Sequence, residues 1–146
     1  MATPDILGPA AVLILWSLVV LMWMTTTRFS AFAKGGVSVG KSARGGRYVD
    51  VEPNMPAKVN WVSHNFTHLM EQPTLFYAVV AVLAIAGDSS EVSLAAAWGY
   101  VGFRIAHSLW QGLVNIVKVR IVLFTLSTIC LFVLSINAVR ITLGTG

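Results

Sequence analysis

Long apolar stretches, broken by short polar segments, set the pattern of this chain. Residues 6–27 carry no charge. At 1.5 Å per residue, such a run is long enough to cross the roughly 30 Å hydrocarbon core of a bilayer. Gly8 and Pro9 fall in its first turn, where a proline costs no helical hydrogen bond. Residues 28–57 are polar and glycine-rich and predict a surface loop with little regular structure. From 58 to 87 an amphipathic half runs into an apolar half. This pattern predicts one long helix kinked at Pro73. Asp88 to Glu91 reads as a tight turn, with Ser89 or Ser90 as the N-cap of the next helix. Residues 92–117 and 121–139 complete the series. The prediction is a single all-α integral membrane domain over residues 1–146, a bundle of four transmembrane helices.

Composition strengthens that reading. Hydrophobic residues make up 56% and charged residues 11% of the 146, against roughly 25% charged in an ordinary soluble domain. Mean hydropathy is +0.76. One cysteine, Cys130, excludes a disulfide scaffold. It lies in an apolar run, where burial disfavours a reactive thiolate. The N-terminus has Asp5 and no basic residue, unlike a secretory signal.

The net charge of +4 is concentrated in one place: six of the ten Lys and Arg lie between Arg28 and Lys58. A nucleic-acid surface is not implied; a basic loop beside anionic lipid headgroups is. With four spans, the first and third loops share a side and hold eight basic residues, whereas the termini and second loop hold only Arg140. The positive-inside rule then places both termini outside the cytoplasm. Trp16, Trp23, Trp61, Trp98 and Trp110 read as an aromatic belt near span ends.

Gly35 to Ser42 matches the phosphate-loop pattern GxxxxGK[ST]. A membrane span precedes it and Ala43-Arg44-Gly45-Gly46 follows it, so the strand and helix that make the pattern work are missing.

The chemistry is concentrated in the second and third spans. At 100° per residue, Tyr100, Arg104, His107, Ser108, Gln111, Asn115 and Lys118 fall in one stripe about 100° wide. Trp61, His64, Asn65, His68, Glu71, Gln72 and Leu75 share a face of the second span. An arginine at mid-membrane costs at least about 2.5–3.5 kcal/mol on insertion scales, so Arg104 is expected to face protein or a cleft and to have a partner. Glu71 is the only acidic residue within a predicted span. Counting outward from the Asp88–Glu91 turn places it level with His107 and one helical turn from Arg104. A pair between Glu71 and Arg104, His107 or both is expected, within or between subunits. It would serve either as a structural polar clasp or as a ligand site open to the cytoplasmic side. His64 and His68 have the i, i+4 spacing that can hold zinc or iron. Three histidines and no HExxH are too few for a di-iron oxygenase, and no metal is expected.

The run from Asn65 to Tyr77, with Arg104-Ile105-Ala106-His107-Ser108 followed by Asn115 and Arg120, resembles the membrane-associated proteins in eicosanoid and glutathione metabolism, the MAPEG family. Size, four spans and a basic first loop also match, and the Arg-x-x-His-Ser run resembles the family's bacterial branch. The resemblance implies a homotrimer of left-handed four-helix bundles in a bacterial inner membrane. It also implies glutathione bound between subunits, where an arginine ionises its thiol for transferase or peroxidase chemistry on a lipophilic substrate. Arg104 then takes the catalytic position. Glu71, His64, His68, His107, Gln111 and Asn115 line the cofactor site, with Lys118 or Arg120 on its carboxylates. Catalytic eukaryotic members have arginine and asparagine at the positions of His64 and His68, and tyrosines at those of His107 and Gln111. Histidine lacks the bidentate fork of arginine. The alternative is a non-catalytic trimeric scaffold, a lipid-binding protein or an accessory subunit of a larger membrane complex.

Overall fold

A computed structural model describes residues 5–34 and 44–144. Among these residues all regular structure is helical: α1 (Leu7–Ala33), α2 (Tyr48–Val51), a 3-10 turn (Glu52–Asn54), α3 (Ala57–Met70), α4 (Pro73–Ile85), α5 (Glu91–Leu113) and α6 (Val117–Thr142). The phosphate-loop match at 35–42 lies outside the described residues.

Three helical stretches are long and apolar enough to cross a membrane: Leu7–Ala33, Ala57–Ile85 and Val117–Thr142. The helix α5, with Arg104, His107, Ser108 and Gln111 on its buried side, is more polar than these. It packs along α6 in the most extensive helix pair and also touches α1 and α3. The core is built from Leu13 and Val20 of α1, Phe76, Val80 and Leu83 of α4, Ala97, Tyr100 and Val101 of α5, and Leu134 of α6. Tyr100 stacks on Phe76 with ring centroids 4.3 Å apart.

Helix α1 continues past Thr27 to Ala33. The hydroxyls of Thr25 and Thr27 donate back to the Leu21 and Trp23 carbonyls, so these polar side chains are satisfied without leaving the helix. Arg28 is held from the side. Its Nε donates to Ser63 Oγ at 2.9 Å, and its guanidinium lies 3.6 Å above the Tyr48 ring. The first loop is correspondingly more structured than its composition suggests. Tyr48 Oη donates to Asn60 Oδ1 at 2.7 Å, and Asn60 Nδ2 donates to the Glu52 carbonyl at 3.0 Å, which ties the short helical segments to α3.

The kink expected at Pro73 is a full break. Glu71 leaves helical geometry, with φ −87° and ψ −97°, and α4 restarts with Pro73 in its first turn. Proline has no N–H for an α-helical bond, and its ring would collide with the carbonyl of Leu69. As a first-turn residue it loses nothing.

The turn into α5 is closed by side chains. Ser90 caps α5 by accepting from the Ser93 N–H at 3.3 Å. Asp88 Oδ1 accepts from the Ser90 N–H at 3.0 Å. Across from α6, Asn137 Nδ2 donates to Ser93 Oγ at 2.6 Å and to Asp88 Oδ2 at 3.2 Å. Burial alone would push the Asp88 carboxyl up, but the bonds from Ser93, Ser90 and Asn137 outweigh it and hold the carboxyl below its ordinary value.

Candidate functional site

The break between α3 and α4 positions the polar cluster. A helix that ends at Met70 leaves its last four carbonyls without intrahelical donors. One of these, on His68, accepts from Arg104 Nη2 at 3.0 Å. A cation at a helix C-terminus is also favoured by the partial negative charge there. Arg104 is 1% exposed, held between α3, α5 and α6, with Cζ 5.4 Å from the Phe124 ring centroid and 5.8 Å from that of Tyr100. Its Nε and Nη1 have no hydrogen-bond partner among the described residues. Leaving a buried donor unpaired costs about 1–3 kcal/mol, and more when it is charged. Chemically, the cluster is a cation with unspent donors, suited to an anion.

The expected pair between Glu71 and Arg104 or His107 is not made within the chain. The Glu71 carboxylate approaches His68 Nδ1 at 3.0 Å, and its side chain is 58% exposed. The reason is the break itself. With Glu71 outside helical geometry, its side chain no longer continues the face set by His64 and His68, and the Arg104 side chain reaches a backbone carbonyl instead.

His107 and Gln111 are buried on α5, as the stripe predicted. The rings of His68 and His107 meet edge to face at 6.0 Å. Gln111 Oε1 is buried without a partner. The stripe is shorter than predicted. Helix α5 stops at Leu113, and Asn115 takes a φ of +59°. Asparagine tolerates this left-handed stop better than most residues. Asn115 and Lys118 therefore do not continue the face of α5, and Lys118 and Arg120 belong to the first turn of α6. Asn115 Oδ1 accepts from Arg120 Nη1 at 2.8 Å, which ties the end of α5 to the first turn of α6. His64 stands apart: it pairs with Glu52 of the 3-10 turn.

Four contributors were not among the expected site residues. Asn65 is fully buried on α3 with both amide atoms unpartnered. Phe124 of α6 covers Arg104. Gln72 bridges α6 and α5, donating to Thr128 Oγ1 at 2.9 Å and accepting from Tyr100 Oη at 3.4 Å. Trp16, read as a belt residue, is half-buried against the core and donates to Ser108 Oγ at 3.0 Å. Asn65 and Gln72 lie on the predicted polar face, and Trp16 lies ten residues into the first span, which a belt position does not explain. Nothing in the sequence pointed to Phe124. Among the described residues no three His, Cys, Asp or Glu side chains are grouped to hold a metal ion.

The MAPEG family model matches residues 6–140. No curated protein and no solved structure matches the chain.

Proposed function

The chain belongs to the MAPEG family, and on that premise we propose that it is a glutathione-dependent transferase or peroxidase of lipophilic substrates. Family membership and three membrane-length apolar helices make it an integral membrane protein. In the proposed arrangement α5 also crosses the membrane, as the third of four spans, and the bundle assembles as a homotrimer. It lies in a bacterial inner membrane with both termini on the non-cytoplasmic side, as the basic first loop favours.

The observation that carries the reading is Arg104, buried with its Nε and Nη1 unpaired among the described residues. Glutathione, when bound, supplies a thiolate nucleophile. Arg104 holds negative charge at that sulfur, which favours the ionised thiol at neutral pH. Glu71, exposed at the helix break, accepts from the ammonium of the cofactor in this reading. His68, His107 and Gln111 provide further polar contacts around it. Lys118 and Arg120, in the first turn of α6, face the cofactor's carboxylates, with Asn115 just before them. His64 joins them on releasing Glu52.

A second reading is supported by the contacts already made. Arg104 Nη2 is committed to the His68 carbonyl and His64 to Glu52. The cluster then acts as a polar clasp that fixes helix register in a non-catalytic scaffold, lipid-binding protein or accessory subunit.

Calorimetric titration of reduced glutathione into the detergent-purified protein separates the two. Saturable binding that is lost in Arg104→Gln, with oligomeric size unchanged, supports the enzyme. No heat at millimolar glutathione supports the clasp.

A further inference from the structure

A cavity of about 650 Å³ lies between the C-terminal end of α1 and the helix α2, and none of the residues discussed for the thiol site lines it. This volume is within the range of small-molecule sites, about 300–1,000 Å³. Met24, Phe29 and Phe32 of α1 with Val51 of α2 supply apolar surface, and Arg28 and Arg47 bring two guanidinium groups. Asp50 also lines it, and its Oδ2 accepts from the Arg47 backbone N–H at 2.8 Å. The side chains lining the cavity thus carry two positive charges against one negative.

Arg28 is already in place. Ser63 Oγ fixes its Nε, and the Tyr48 ring fixes its plane from 3.6 Å. Tyr48 is itself anchored on Asn60. A pre-positioned guanidinium loses little freedom on meeting an anion and offers the planar fork that phosphate oxygens accept. The cavity lies where α1 passes from its uncharged stretch to its first arginine, the depth of the headgroups for a membrane helix. Apolar side chains interspersed with two arginines are complementary to an anionic head on an acyl chain.

We propose that this cavity binds an anionic phospholipid of the surrounding bilayer, with its phosphate on Arg28 and Arg47 and its acyl chain against Met24, Phe29, Phe32 and Val51. The site is independent of the thiol reading, because the two share no residue.

The test is native mass spectrometry of the full chain in nonionic detergent. Phosphatidylglycerol and phosphatidylcholine of matched acyl chains are the probes, and inorganic phosphate and reduced glutathione are the competitors. Phosphatidylglycerol is retained over phosphatidylcholine. Arg47→Gln weakens its retention by about fivefold, the contribution of one basic residue near anionic lipid. Val51→Trp, which fills the cavity, abolishes retention with the assembly unchanged. Because Arg28 also holds Ser63 and Tyr48, the test relies on Arg47 and Val51. Equal retention of the two lipids, or indifference to both substitutions, overturns the proposal. Displacement of the lipid by millimolar phosphate alone reassigns the site to a free anion, and displacement by glutathione reassigns it to the thiol cofactor; either result overturns it as well.

Discussion

Arg104 closes the end of α3 by donating from Nη2 to the carbonyl oxygen of His68 at 3.0 Å. The proline that breaks the helix frees carbonyls there, and the buried cation uses one of them. The residue therefore has a structural duty whatever ligand its other nitrogens take. Arg104→Ala should lower stability by about 1–3 kcal/mol, the cost of an unsatisfied buried acceptor. Arg104→Lys should recover part of that loss, because an ammonium keeps the charge but not the fork. Thermal unfolding in detergent reads both. If Lys restores stability but not glutathione binding, the two duties of the guanidinium are separated.

Gly112 lies against Trp23. A Cβ at this position would meet the Trp23 ring at 2.5 Å, closer than packed carbons allow. Gly112→Ala should destabilise the contact between α1 and α5 by about 1–3 kcal/mol, as overpacking does. Trp23→Leu in the same chain should recover most of that loss. A double-mutant cycle on the unfolding midpoints checks it, and additive losses would contradict the contact.

Trp16 and Ser108 form a hydrogen bond between α1 and α5, 3.0 Å from Nε1 to Oγ. Trp16→Phe and Ser108→Ala should each cost stability, and their coupling should be about 1 kcal/mol, the net worth of one such bond. The Trp16→Phe variant should also shift the protein's fluorescence spectrum, since one indole in a hydrogen-bonded, half-buried site is lost.

Asp88 makes the α4–α5 turn sensitive to acid. Its folded pKa lies below the ordinary 3.8. A carboxyl depressed in the folded state contributes stability that is fully present above the unfolded value. That stability is lost as pH falls through the lower folded value. The wild type should therefore lose more stability than Asp88→Asn as pH drops from about 5 toward 3, around the ordinary aspartate pKa of about 3.9, and the two should run parallel above it. Unfolding midpoints across that range measure the difference. Identical slopes would exclude Asp88 as a source of acid lability.

Much of the fold could be read along the chain because membrane helices announce themselves by length and apolarity. The uncharged run at 6–27 lies in α1 but for its N-cap Ile6, the run at 121–139 falls within α6, and Ser90 caps α5 from the place the turn signal gave. The polar stripe was legible for the same reason: helical periodicity placed Arg104, His107, Ser108 and Gln111 on one side of α5, and all four are buried there. Two local events escaped that arithmetic. Pro73 was expected to bend the second helix and instead divides it, which carries Glu71 away from Arg104. Asn115 enters the left-handed region and ends α5, so Lys118 starts the next helix rather than extending the stripe. Periodicity assumes that the helix continues, and a break of one residue invalidates every phase downstream of it.

By itself, the sequence determined what must be helical, what must avoid lipid and where charge is concentrated, because each follows from the cost of exposing polar groups to hydrocarbon and can be counted residue by residue. The partners of those polar groups were decided only in three dimensions. That Arg104 meets a backbone carbonyl, that Trp16 reaches Ser108 across 92 residues and that Arg28 is clamped between Ser63 and Tyr48 all depend on distances between helices. A hydrogen bond is satisfied or lost within a few tenths of an ångström, and only the packed bundle fixes positions that finely.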